Sequence, residues 1–163
     1  MHQAVQQFVE RMGVMMEADG MPRIAGRIFG FLLVNTGAFS LDHLAEQLQV
    51  SKASVSTNAR LLEQLGVIER IAAPGDRRDY YQMQGDAWAR MLHVAQKRWD
   101  GMRRVLREAG DALPDGMEVG RERLLEAERF HDLLAEESKR LMERWREGKL
   151  EAPPADSLSQ PAA

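Results

Sequence analysis

Apolar residues recur at helical spacing along almost the whole of this 163-residue chain, and the pattern breaks once, at residues 67–83, where alternation takes over. Val67-Ile68-Glu69-Arg70-Ile71-Ala72 and Asp79-Tyr80-Tyr81-Gln82-Met83 predict two paired strands. Between them, Pro74-Gly75-Asp76-Arg77-Arg78 predicts a turn with two cations at its tip. One hairpin set among helices cannot build a sandwich, a barrel or a parallel sheet, so the expected class is mainly α with one β-hairpin.

The helices are readable individually. Val5, Phe8, Val9, Met12 and Met16 mark one face of a first helix, about residues 2–18. Pro22 suits the first turn of a second helix, which runs to about Val34 and buries Ile24, Ile28, Phe31 and Leu32. Ser40 is a good N-cap for a short third helix, Leu41 to Leu48, and Gln49-Val50 makes a tight connection. Ser51 caps a fourth helix that runs to Leu65, where Gly66 stops it.

After the hairpin, Trp88, Met91, Leu92, Ala95, Trp99, Met102, Leu106 and Ala109 stripe one long helix, and Leu113-Pro114-Asp115-Gly116 breaks it. A last helix, about residues 118–147, carries Leu124, Ala127, His131, Leu134, Leu141 and Trp145 on one face. The expected organisation is N-terminal helices over 1–37, a helix-turn-helix with its hairpin over 38–84, long helices over 85–148 and a disordered tail over 149–163. Two long apolar stripes exceed what so small a core can cover, which points to burial against a second copy of the chain.

Composition excludes several classes. With no Cys there is no disulfide framework, thiolate nucleophile or Cys-based zinc site. The longest apolar run, Ile28 to Val34, is interrupted by Gly30 and is far too short to cross a bilayer. Met1-His2-Gln3 opens no secretory signal, so a cytoplasmic location is expected. The net charge of −3 conceals a gradient: residues 51–110 hold 11 Lys and Arg against 7 Asp and Glu. Affinity for phosphate depends on where cations sit, so the global sign of the charge decides nothing.

The fourth helix divides by position. Val55, Ala59, Leu62 and Leu65 face a core, while Ser51, Lys52, Ser54, Ser56, Thr57 and Arg60 give the other face short donors and two cations. Short side chains let a helix approach base edges, and hydroxyls and cations hydrogen-bond there or to phosphates. Either feature alone reads as solvated surface. A helix-turn-helix followed by a hairpin with a basic tip reads as a DNA-binding winged domain.

Residues 41–83 resemble the winged helix-turn-helix of the MarR family of bacterial transcriptional regulators. The resemblance is carried by Leu62-Glu63-Gln64-Leu65-Gly66-Val67-Ile68-Glu69-Arg70, by Val50-Ser51-Lys52 and by Asp76-Arg77-Arg78. Residues 20–28 and 74–81 are similar to the GbsR-like branch, and the likeness is good over about residues 5–110. It implies a homodimeric regulator, a repressor by expectation, whose long C-terminal helices dimerise and whose recognition helices meet an inverted-repeat operator. It further implies that Asp76 positions the wing and that one of Arg77 and Arg78 enters the minor groove. Alternation along the strand favours Arg78. Met83-Gln84-Gly85 departs from the Leu-Thr pair usual in the family, which concerns the cap of the next helix.

Other signals weigh less. Glu128 and His131 have the Glu-x-x-His spacing of di-iron bundles but no second copy of it, so no metal or other cofactor is expected. Gly26 and Gly30 have small-xxx-small spacing, read here as close packing of a soluble helix. His43 reads as solvated, or as a phosphate contact. Trp88 and Trp99 read as core or dimer interface; the sharper alternative is an aromatic pocket for a choline-like cationic effector, a ligand class the GbsR-like resemblance suggests. No nucleophile with its base is visible, so an enzyme is not expected. The alternatives to a DNA-binding regulator are a winged-helix docking module for a protein partner and, more remotely, a ligand-binding bundle.

Overall fold

The computed structural model describes residues 1–72 and 76–148. Pro74 and Gly75 of the expected turn, and the expected disordered tail over 149–163, lie outside the described residues. The elements in chain order are α1 (Gln3–Ala18), α2 (Arg23–Val34), β1 (Phe39–Ser40), α3 (Leu41–Leu48), α4 (Lys52–Gln64), β2 (Ile68–Ala72), β3 (Asp79–Met83), α5 (Ala87–Ala112) and α6 (Glu118–Arg146). They fall into two compact units, residues 1–94 and the residues from Ala95 on, with α5 beginning in the first and continuing in the second. Among the described residues no helix is long and apolar enough to cross a membrane.

The first unit is built around α2. Ala25, Gly26, Ile28, Phe29, Gly30, Phe31 and Leu32 are all buried, so this helix is covered on most of its circumference. Ile28 and Leu32 meet Val9 from α1, Leu44 and Leu48 from α3, and Val55, Ala59 and Leu62 from α4 in one core. The glycines set how closely α1 and α2 cross. A Cβ on Gly26 would stand 2.5 Å from the Met12 carbonyl oxygen and 2.8 Å from Gly13 Cα, and one on Gly30 would stand 3.0 Å from the Met12 side chain. The small-residue spacing is therefore used for close packing of two helices of this unit.

The sheet has a strand the sequence did not announce. Rather than a lone hairpin, three antiparallel strands lie in the order β1-β3-β2, with Phe39 opposite Tyr81 and Ser40 opposite Tyr80. A two-residue strand carries no alternation to detect; it forms because the extended backbone of Ser40, the N-cap of α3, lies along the open edge of β3. Between β2 and β3 the register runs from Ile68 opposite Met83 to Ala72 opposite Asp79.

In the second unit, ion pairs join α5 to α6. Arg107 Nε donates to Glu128 at 2.7 Å, and Arg103 pairs with Asp100 at 3.1 Å and with Asp132. Arg121 donates to the carbonyls of Gly110 and Leu113, satisfying groups the end of α5 leaves open. Part of the expected apolar stripes stays uncovered in the single chain: Met91 and Met102 of α5 and Leu141 and Trp145 of α6 are exposed, and so are Val105 and Phe130 outside those stripes.

Candidate nucleic-acid interface

Two serines punctuate the helix-turn-helix. Ser40 Oγ accepts from the His43 amide and Ser51 Oγ from the Ser54 amide, each at 3.2 Å, so each hydroxyl satisfies a donor that a helix start leaves open. Between the helices Gln49 takes φ +52, a left-handed turn at the end of α3, and the Val50 amide closes it on the Ala45 carbonyl at 3.0 Å.

Along α4, Val55, Asn58, Ala59 and Leu62 are buried and Leu65 is half-buried, close to the expected core face. Asn58 is the addition: its amide turns back to donate to the Ser54 carbonyl at 2.8 Å. The opposite face presents Thr57 and Arg60 exposed, with Ser54 and Ser56 half-buried. Two expected contacts already have work within the chain. The Ser51 hydroxyl is the N-cap, and Lys52 Nζ lies 2.8 Å from Asp42 on α3, an exposed pair that ties the two helices of the motif weakly. Ser54, Ser56, Thr57 and Arg60 are the residues of this face whose side chains have no hydrogen-bond or ion-pair partner among the described residues.

The wing residues form a tight group. Arg78 donates from Nε to Asp76 Oδ2 at 2.9 Å, from Nη2 at 2.6 Å and from its own amide to Oδ1 at 2.9 Å. The Tyr80 hydroxyl donates to the same carboxylate at 2.8 Å, and the Arg78 guanidinium lies 5.6 Å from the Tyr80 ring centroid. These donors hold the Asp76 carboxyl far below its ordinary value, the Arg78 side chain contributing most and its backbone amide next. The carboxylate in turn raises the Arg78 guanidinium and the Tyr80 phenol, in each case chiefly through the hydrogen bond to Asp76. Arg77 is exposed and has no polar partner among the described residues. The sequence did not single out Tyr80, which stands two residues past Arg78, near the start of β3.

Elsewhere the sequence-derived candidates are placed as follows. His43 is half-buried and stacks on Phe39 with ring centroids 5.2 Å apart, with Phe31 at 6.1 Å, so it belongs to an aromatic cluster. Glu128 Oε1 accepts from Arg107 Nε at 2.7 Å, and His131 Nδ1 donates to the Ala127 carbonyl at 2.8 Å. Trp88 packs edge-on against Phe29 at 6.1 Å and is 41% exposed, whereas Trp99 is half-buried and belongs to the second unit.

Comparison with known proteins sets this geometry in a lineage. A MarR family model matches residues 19–79, and a model described as MmpR5-like MarR family transcriptional regulator matches residues 86–148. A crystal structure of a transcriptional regulator is similar at 31% identity with a TM-score of 0.83, over 88% of this chain and 99% of that one. The chain belongs to the MarR family of transcriptional regulators. The HTH-type transcriptional regulator MmpR5 of Mycobacterium tuberculosis is 44% identical to this MarR-family chain over 86 residues, 52% of each protein. The HTH-type transcriptional repressor OpcR of Bacillus subtilis is 25% identical over 96 residues, 59% of this chain and 52% of that protein. The chain thus spans about half the length of these two named relatives. The matched relatives are regulators rather than enzymes, in line with the reading of the sequence.

Proposed function

We propose that this chain is one subunit of a homodimeric, sequence-specific DNA-binding repressor that acts in the cytoplasm and reads an inverted-repeat operator. The observation that carries the reading is the pairing of an open donor face on α4, Ser56, Thr57 and Arg60, with a wing whose Arg78 is fixed by Asp76 and Tyr80. In the proposed complex α4 lies in a major groove, with Ser51, Lys52 and Ser54 near the phosphates its N-terminus faces. Arg78 lies in the adjacent minor groove, where narrow geometry favours arginine, and Arg77 contacts the flanking backbone. Half-sites then lie about 34–36 Å apart along the duplex.

The dimer is supported by apolar side chains that α6 leaves uncovered at positions 130, 141 and 145, all on one face with half-buried Leu134. Repression is supported by the name of the OpcR relative. Placement in the GbsR-like branch rests on residues 20–28 and 74–81. A choline-like cation is the proposed effector class, on the strength of that likeness alone.

Selection of duplexes from a random pool, with affinity followed against salt, tests the reading. Enrichment of an inverted repeat with a steep salt slope is expected. Weak, sequence-blind retention with a flat slope would replace it with a docking module for a protein partner.

A further inference from the structure

Arg27 is a cation in the middle of the most buried helix of the first unit, between Gly26 and Ile28, and its side chain is only 18% exposed. Its stem lies over α1 where that helix has no side chain: a Cβ on Gly13 would stand 2.7 Å from Arg27 Cγ. From there Nη2 reaches two acceptors on different elements. One is Glu10 Oε1 of α1, at 2.8 Å; the other is the carbonyl of Leu48, the last residue of α3, also at 2.8 Å. Glu10 also accepts from Arg23 at 3.3 Å, which holds the carboxylate in place.

The Leu48 carbonyl is among the last four of α3, which lack partners within the helix and carry its negative end. The Ala45 and Glu46 carbonyls are taken by the amides of Gln49 and Val50. Arg27 therefore supplies the partner for the carbonyl that immediately precedes the left-handed residue Gln49, two residues before the N-cap of α4. The direction in which α4 leaves α3 is set over those residues. A charged donor grips that peptide from outside the helix-turn-helix, and Glu10 fixes the donor.

We propose that Arg27 is a positioning residue for the DNA-reading helix: held by Glu10, it clamps the turn of the helix-turn-helix and sets the orientation of α4. This rests on the DNA-binding reading above. It assigns to α1 and α2 a part in recognition although neither carries a proposed contact with DNA.

The test compares the wild-type chain with Arg27→Met, which keeps the stem over Gly13, with Arg27→Lys, which keeps a cation, and with Glu10→Gln. Amide hydrogen exchange in the free protein reports the clamp. In Arg27→Met the hydrogen-bonded amides of the turn, those of Gln49, Val50, Ser54 and Val55, should exchange about tenfold faster or more, while those of Ile28 and Leu32 keep their protection. Affinity for a selected operator duplex, at fixed salt and corrected for folded fraction, should fall about tenfold. Arg27→Lys should recover most of both, and Glu10→Gln should lie between, which keeps the test decisive if Arg27→Met folds poorly. Wild-type exchange at those turn amides in the variants would overturn the clamp. So would lower stability with unchanged affinity of the folded fraction, the result of a purely structural role. If the wild-type chain selects no duplex, the DNA reading fails and the role in it falls too; faster exchange confined to those turn amides would still show that Arg27 holds the turn.

Discussion

Arg78 and Asp76 meet side-on, with Nε 2.9 Å and Nη2 2.6 Å from the same carboxylate oxygen, so the arginine proposed to enter DNA is held in one orientation before DNA arrives. Ordering a long side chain costs entropy at the moment of binding unless the free protein has ordered it already. The brace moves that cost to folding, and the Tyr80 hydroxyl supports it from β3 by donating to the same carboxylate.

Removing either reading cation should weaken operator binding with the fold intact. Arg78→Ala and Arg60→Ala are each expected to lose about 1–3 kcal/mol at matched salt, because both side chains are exposed and absent from the core. Asp76→Asn should lose part of this, since it frees Arg78 without removing it. Fluorescence anisotropy with a labelled duplex, beside a thermal melt, is the check; unchanged affinity in both arginine variants would sink the assignment of the reading face.

The wing brace should survive mild acid. The Asp76 carboxyl is depressed by its three donors, so the stability it lends is fully present above its ordinary value of 3.8 and is lost as pH falls through the lower folded value. No loss of the brace is expected between about pH 5 and 8. A carbon-detected NMR titration of the Asp76 carboxyl should give a midpoint well below 3.8, and Tyr80→Phe, which removes one donor, should raise it. A wild-type midpoint at or above 3.8 would contradict the brace.

Two glycine-to-alanine changes in helices should have opposite signs. Alanine in an open helical position is favoured over glycine by up to about 1 kcal/mol, and Gly101 of α5 has nothing within 4 Å of an added Cβ. At Gly26 the same methyl meets backbone at 2.5 Å and 2.8 Å, and backbone cannot rotate aside as a side chain can. Gly26→Ala should therefore destabilise the chain by about 1–3 kcal/mol, the range for overpacking. Chemical denaturation of the two variants decides it, and a stabilised Gly26→Ala would show that α1 and α2 do not cross this closely.

If α6 dimerises, charge on its uncovered face should dissociate the dimer. Phe130→Asp is expected to shift the protein from dimer to monomer in sedimentation velocity and to weaken operator binding, since half-sites would then be bound singly. Phe130 is 57% exposed in the single chain, so the change should leave the monomer's own packing nearly untouched. A dimer of unchanged strength would move the interface elsewhere.

Local patterns in the sequence determined most of the element order. Helical spacing, the capping serines at 40 and 51 and the stop at Gly66 place α3 and α4 within a residue of their observed bounds, because these are signals between near neighbours. The face of α4 was legible for the same reason, and so was the glycine pair of α2. The tertiary structure decided what depends on residues far apart in sequence. Strand β1 exists only because Ser40 meets the edge of β3 forty residues on. Lys52, which by position alone faces solvent, is drawn to Asp42 by the angle between α3 and α4. His43 stacks on Phe39 because β1 carries that ring to it. An arginine inside a buried helix announces that it has a partner, but only the crossing of α1 and α2 over the end of α3 shows that the partners are Glu10 and the Leu48 carbonyl.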